Sequence, residues 1–226
     1  MNQESLQLYS YWRSSAAYRV RIGLNLKVLR YQVIPVDIRT GSSQQHSDEY
    51  RALNPQQLVP TLRHGDRLFR QSLAILEYLE ESWPAVPLLP ATARDRARVR
   101  AMAQLIACDI HPLNNLRVLQ YFENEWNAPP DERDGWVRHW ISEGLGALER
   151  LLADPATGMF CHGDNPGLAD CCLVPQVYNA RRFGVDMGAF PSVARIDAAC
   201  QALPAFVDAR PEAQPDAAQP SAVRTA

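Results

Sequence analysis

The sequence predicts two folding units of different class, an α/β unit followed by an all-α helical bundle. Three observations predict this. Short β-type segments alternate with helical ones only through the first 83 residues, three prolines fall within residues 84–92 (PAVPLLPAT), and helical periodicity runs almost unbroken after Pro90. The 226 residues, 46% hydrophobic and 21% charged, suffice for one large domain or two small ones. Lys and Arg number 23 against 25 Asp and Glu, so a net charge of -2 leaves no electrostatic footprint for nucleic acid or an anionic membrane. No apolar run approaches the roughly 18 residues of a membrane-spanning helix. The start MNQESLQLYS lacks the basic and apolar blocks of a signal peptide, so the expected location is the cytoplasm.

The elements follow in order. LQLYSY (6–11) reads as a strand, and residues 14–27 as a helix opened by Ser14 or Ser15, whose hydroxyl can satisfy an orphaned backbone N–H. RYQVIPVDI (30–38) suits a second, buried strand. A polar helix is expected over 43–53. VPTLRHGDRLFRQ then splits at His64-Gly65-Asp66 into a hairpin. A helix from Ser72 buries Leu76, Leu79 and Trp83. The order βαβαββα is the thioredoxin-like layout, expected over 1–84. Residues 85–92 form the expected linker, 93–210 the helical domain, and 211–226, rich in Pro, Ala, Gln and Ser, a mobile tail. Within the helical domain Pro112 should bend the first helix around Asp109 to His111. The five cysteines, Cys108, Cys161, Cys171, Cys172 and Cys200, show neither CxxC nor a zinc spacing and are expected to be mostly buried thiols.

Three features of the first unit belong together. Val59-Pro60 precedes a strand and is a candidate cis bond that would turn the Val59 peptide groups toward solvent, as an edge for an extended peptide. Gln71-Ser72 opens a helix, where amide, hydroxyl and backbone N–H groups converge on a carboxylate. Ser14-Ser15 opens another, whose dipole favours an anion. Together they describe a pocket for glutathione, with the peptide edge at Val59, the carboxylate at Gln71-Ser72 and the sulfur at Ser14.

WRSSAAYRVRI, ALNPQQLVPTL, QSLAILEYLEE, CDIHPLNNLRVL and LADCCLVPQVYNARRF resemble the zeta class of glutathione transferases, and within it the bacterial maleylacetoacetate and maleylpyruvate isomerases. The resemblance covers nearly the whole chain and implies the two-domain fold of that family, a homodimer and glutathione as cofactor. It implies that Ser14 hydrogen-bonds and activates the sulfur with Ser15 beside it. Gln45, Val59, Gln71 and Ser72 would bind the tripeptide, and His111, Asn115 and Arg117 would lie over it. Where many zeta proteins have Ser-Ser-Cys, this chain has Ser14-Ser15-Ala16, so the only sulfur in the chemistry is the cofactor's. Gly167 stands where the family often caps a helix with Ser or Thr, in the pattern ending at Asp170, which reads as structural.

Isomerising a cis-alkene requires its double bond to be lowered in order for a moment, which reversible addition of a thiolate achieves without consuming the thiol. A thiol of pKa about 8.5 is only ~3% ionised at pH 7, and two units of depression need ~2.7 kcal/mol. A hydroxyl hydrogen bond of roughly 1.5–3 kcal/mol to a charged partner, with a helix N-terminus of roughly 0.3–1, covers that. The family's diacid keto substrates call for arginines, and Arg13 and Arg182 are the candidates, with Arg117 third. Tyr11, at the end of the first strand, is the rival to Ser14. The readings left open are maleylacetoacetate or maleylpyruvate isomerisation, glutathione conjugation or dehalogenation of small haloacids, and a scaffold that only binds partners.

Overall fold

A computed structural model describes residues 5–39, 41 and 43–217. The chain divides into two units, residues up to Val86 together with the chain from Pro204, and Pro87–Leu203.

The first unit runs β1 (Leu6–Ser10), α1 (Ser15–Leu26), β2 (Tyr31–Pro35), α2 (Asp48–Leu53), β3 (Thr61–His64), β4 (Arg67–Arg70) and α3 (Ser72–Ser82). The sheet order is β2-β1-β3-β4. β1 pairs parallel with β2 and antiparallel with β3, placing Leu8 opposite both Val33 and Leu62. A parallel pair needs a crossover, which α1 supplies; β3 and β4 need only the tight turn at Gly65, whose φ of 58° is open to glycine without strain. Alternation along β1 buries Leu6 and Leu8 on one face with Leu62, Val20 and Leu24 of α1, and Ile75 and Leu79 of α3. On the other side a second cluster gathers Tyr11, Val36, Tyr50 and Val59, with Tyr9 packed against it.

The polar helix expected over 43–53 is two pieces, a 3₁₀ turn at Gln44–His46 and then α2. Ser47 separates them: its backbone is extended and its hydroxyl accepts from the Tyr50 N–H at 3.2 Å, so it starts one helix where the other stops. At the end of α1, Lys27 is buried and its Nζ donates to Glu80 Oε2 at 2.8 Å, Trp83 O at 2.9 Å and Val86 O at 2.7 Å. All three ammonium donors are used, which is what makes burial of that charge tolerable.

The second unit contains α4 (Ala93–Gln104), α5 (Leu116–Trp126), α6 (Pro130–Leu151), α7 (Leu168–Arg182) and α8 (Pro191–Gln201). Twelve of the fifteen α7 residues are buried, so it is the central helix of this unit. The single bent helix expected from Arg94 to Trp126 is instead interrupted before Asp109: α4 gives way to a π-helical turn at Leu105–Ile110 and a 3₁₀ turn at His111–Asn114 before α5. Pro112 removes one N–H, and α6 makes room for the last residue of the π-helical turn. A Cβ added at Gly144 would stand 2.2 Å from Ile110 Cγ1, so the absent side chain is the space in which Ile110 sits. The following residues are pinned as well. Asn114 donates to Ile110 O at 3.2 Å and accepts from Asn179 Nδ2 at 3.3 Å, and the Trp136 indole donates to Leu113 O at 2.7 Å.

Two expectations need correction. The segment read as a linker is packed at its middle: Leu88 and Leu89 are buried, and Leu88 O accepts from the Leu168 N–H at 2.8 Å. A Cβ at Gly167 would lie 2.7 Å from that same carbonyl oxygen, so glycine there allows the connector to approach α7. The tail expected to be mobile from Pro211 is also ordered as far as it is described. Residues 204–217, including the short helix α9 (Pro204–Val207), belong to the first unit, with Phe206, Ala209, Pro211 and Gln214 buried. Side chains hold it in place of periodic packing: Asn25 Nδ2 donates to Ala205 O at 2.9 Å and Arg21 Nε to Ala209 O at 3.0 Å, and past Pro211 Gln214 Nε2 donates to Arg210 O at 2.9 Å and Asp216 Oδ2 accepts from the Trp12 N–H at 2.8 Å. The rest of that tail, 218–226, lies outside the described residues.

Candidate functional site

Ser14, not Ser15, is the N-cap of α1. Its backbone is extended, its N–H donates to Tyr11 O at 3.0 Å, and its Oγ accepts from the Ala17 N–H at 3.2 Å. A hydroxyl has one proton and two lone-pair sites, so capping uses an acceptor site and leaves the proton for another partner. Ser15 is the first helical residue and, like Ser14, half-buried. Arg13 is exposed, with its guanidinium 5.3 Å from the Trp12 ring centre. Tyr11 differs from Ser14 in access: its phenol oxygen is enclosed and makes no hydrogen bond among the described residues.

The Val59-Pro60 bond is cis, and the Val59 backbone has no hydrogen-bond partner among the described residues. The loop before it is fixed from behind. Leu58 O accepts from Tyr50 Oη at 2.8 Å and Asn54 Nδ2 at 2.7 Å. Burial pushes the Tyr50 phenol up to about 12, so it remains a donor at any physiological pH. Gln71, the N-cap of α3, has φ 68° and ψ 119°, a left-handed conformation that costs a non-glycine residue of order 1–3 kcal/mol. Its side chain donates to Gln56 Oε1 at 2.8 Å. Ser72 is buried, and its Oγ accepts from Arg19 Nη1 at 3.2 Å. Gln45 is buried in the 3₁₀ turn and its Oε1 has no partner among the described residues. An orphaned carbonyl oxygen, an unbonded peptide and open helix N-termini are acceptor and donor sites that an extended tripeptide with a carboxylate can fill.

In the second unit His111 opens the 3₁₀ turn and is half-buried. Asn115 caps α5, its Oδ1 accepting from the Arg117 N–H at 3.2 Å, and Arg117 is exposed. Of the arginine pair ending α7, Arg181 donates to the buried Asp197 at 2.6 Å, while Arg182 is exposed with its guanidinium 4.9 Å from the Phe183 ring centre. Asp170 is structural: burial pushes its carboxyl up, against hydrogen bonds from the Cys161 N–H at 2.9 Å and the Gly167 N–H at 2.8 Å. Cys108 is exposed and the other four cysteines are buried; burial, first, and the neighbouring Asp170 hold the Cys161 thiol well above its usual range. Arg19 and Arg21 had not been singled out, although two arginines in the apolar run YRVRIGL are the sequence signal; both are almost fully buried.

A family model described as the glutathione S-transferase N-terminal domain matches residues 8–87, and one described as its C-terminal domain matches residues 130–215. The chain belongs to the glutathione S-transferase family. A probable maleylacetoacetate isomerase of Vibrio cholerae is 50% identical to this transferase over 94% of its chain and 99% of the relative's. A maleylpyruvate isomerase described as a bacterial zeta-class transferase, in its holo structure, superposes with a TM-score of 0.90 at 49% identity, covering 93% of this chain and 99% of that one. The maleylacetoacetate isomerase of Anaeromyxobacter dehalogenans, with GSH bound in its active site, matches with a TM-score of 0.86 at 46% identity, over 96% and 100% of the two chains. Among the transferase's described residues no helix is long and apolar enough to cross a membrane.

Proposed function

We propose that this zeta-class transferase is a glutathione-dependent cis–trans isomerase that converts maleylacetoacetate to fumarylacetoacetate in aromatic amino-acid degradation. The observation that carries the reading is the half-used hydroxyl of Ser14, which caps α1 through its oxygen and keeps its proton to donate. Bound glutathione supplies a thiolate that adds reversibly to the alkene and is returned unchanged. Ser14 donates to that sulfur and holds it ionised, and the opening turn of α1 with Ser15 adds its dipole. Gln45 Oε1 accepts from the tripeptide, the Val59 peptide pairs with its backbone, and the Gln71-Ser72 helix start receives its carboxylate. The strained φ of Gln71 supports that role, since such conformations persist where a ligand clamp needs them.

His111, Asn115 and Arg117 complete the cofactor contacts in this reading. Arg13 and Arg182 take the charged ends of the substrate and oppose the negative charge that develops on its keto oxygen. Both are exposed, and the neighbouring Arg181 is held by Asp197. We place the working form as a homodimer in the cytoplasm, where reduced glutathione is maintained. Maleylpyruvate is the second reading, favoured by the match to an isomerase of that substrate. The test follows the loss of each cis substrate at catalytic glutathione and assays the thiol at the end. Turnover of maleylacetoacetate faster than maleylpyruvate, with thiol unchanged, is expected; the reverse preference selects the second reading, and stoichiometric loss of thiol means conjugation or dehalogenation instead.

A further inference from the structure

The residue ahead of the Arg13-Ser14 pair is held at both of its peptide groups, and one of the two holders comes from the far end of the chain. The Trp12 N–H donates to Asp216 Oδ2 at 2.8 Å. The Trp12 carbonyl accepts from Arg21 Nη2 at 2.9 Å. Arg21 is fully buried on α1, and its other donors go to Ser10 Oγ at 3.0 Å, at the end of β1, and to Ala209 O at 3.0 Å, in the C-terminal segment. That segment is tied along its length: Tyr18 Oη donates to Phe206 O at 3.5 Å, and Gln214 Nε2 donates to Asp208 O at 3.0 Å and Arg210 O at 2.9 Å, shaping the turn that delivers Asp216. Arg21 pairs with no carboxylate within ion-pair distance among the described residues. Burial draws its guanidinium down to about 10, and Asp216 is among the groups that oppose this.

A buried guanidinium and a carboxylate thus bracket a single residue, Trp12, on the turn that carries Ser14. α1 anchors residues 204–217 through Asn25, Arg21 and Tyr18 without using the Asp216 carboxylate. The bracket fixes the direction in which the chain leaves β1, and through it both the Ser14 hydroxyl and the Arg13 guanidinium stacked over Trp12. We propose that the C-terminal segment is a clamp on this turn and that Asp216 is a positioning residue for Ser14, acting through its hydrogen bond to the Trp12 N–H. The proposal rests on the reading of Ser14 as the hydroxyl that stabilises the glutathione sulfur.

The test titrates the thiol of glutathione bound to the whole protein, by thiolate absorbance, in wild type, Ser14→Ala, Asp216→Ala and Asp216→Asn, and measures kcat and the KM for glutathione in parallel. Asp216→Ala is expected to raise the pKa of the bound thiol by about one unit and to lower kcat at neutral pH up to about tenfold, with KM less affected. Asp216→Asn keeps an oxygen for the Trp12 N–H and should titrate within about 0.3 unit of wild type, which a loss of general packing would not predict. An unchanged titration in Asp216→Ala alongside a raised one in Ser14→Ala overturns the clamp and leaves the role of Ser14 standing. Equal shifts in both Asp216 variants overturn it in favour of a charge effect on Arg21. No shift in Ser14→Ala removes the reading beneath it. Should Asp216→Ala not fold, amide exchange of the wild type decides: Trp12 protected to the level of α1 supports the clamp, and an unprotected Trp12 amide overturns it.

Discussion

The turn that carries Ser14 and the segment that carries His111, Asn115 and Arg117 both deliver their residues at helix N-caps, and they are held in opposite ways. The Ser14 turn is fastened on every side. Trp12, two residues before Ser14, is hydrogen-bonded at both its N–H and its C=O, and α1 beyond buries eight of its twelve residues. The other segment is fastened chiefly at its base, where Ile110 sits against Gly144, Leu113 O accepts from the Trp136 indole and Asn114 meets Asn179. After Asn115, α5 has no buried residue at all and exposes Leu116, Tyr121 and Trp126. The contrast suits the roles proposed above. Holding a sulfur negative depends on a donor placed to within a fraction of an ångström, whereas an outer contact to a ligand that enters and leaves tolerates an element of low local stability.

Ser14→Ala gives the largest expected effect because it removes the feature on which the fixed turn depends. One hydrogen bond to a charged sulfur is worth roughly 1.5–3 kcal/mol, so kcat/KM should fall by about ten- to a hundredfold while the affinity for glutathione changes by less than about threefold. Loss of the cap should also lower unfolding stability by ~1 kcal/mol, measured by denaturant titration. A variant that loses affinity and rate in equal measure would make Ser14 a binding group only and blunt the contrast.

Next comes Gly144→Ala, which attacks the base of the second segment. The new Cβ meets the Cγ1 and Cδ1 atoms of a fully buried Ile110, so the π-helical turn must shift or the isoleucine must leave its rotamer. Overpacking of this kind costs about 1–3 kcal/mol. Because the displaced turn leads directly into His111, KM should rise more than kcat falls; unaltered stability would show that Ile110 has somewhere else to go.

The same division explains what could be read in the sequence. The strands, the hairpin and the start of α1 rest on local rules, alternation within six residues or a hydroxyl three residues ahead of the N–H it caps, and those were legible. So were the positions of Ser14, Val59, Gln71 and Ser72 at element boundaries, whatever they bind. What was not legible depends on partners far apart in the chain. The stretch from Pro211 looks disordered by composition because the order of residues 211–217 is supplied from elsewhere, by the Trp12 N–H that Asp216 accepts from, 204 positions earlier, and by the ties of Arg21 and Asn25 to the chain just before it. The π-helical turn packs its last residue into the space of a missing side chain on another helix, and glycine at 144 carries no local sign of whom it accommodates. Gln45 was reached only through family resemblance, since a buried amide with an unfilled acceptor is visible only once the 3₁₀ turn has been folded around it.

The smallest expected effect sharpens the contrast most, because it asks for nearly nothing. Tyr121→Ser and Trp126→Ser each remove a large aromatic ring, which in a core would cost about 3–5 kcal/mol. Tyr121 is 56% exposed and Trp126 66%, and the ties of α5 to α6 run elsewhere, through Phe122 edge-on to Trp136 and through Glu123 to Arg133. Each substitution should therefore shift unfolding stability by less than ~0.5 kcal/mol. The amides of α5 should meanwhile exchange well before those of α1, since few apolar contacts hold the helix down. Trp126 stacks on Phe122 with ring centres 4.9 Å apart, so its loss should quicken exchange in α5 more than the loss of Tyr121 does. A cost above 1 kcal/mol from either substitution would mean that the outer side of α5 is covered in solution, by a second copy of the chain or otherwise, and the two ways of holding a helix N-cap would no longer be distinct.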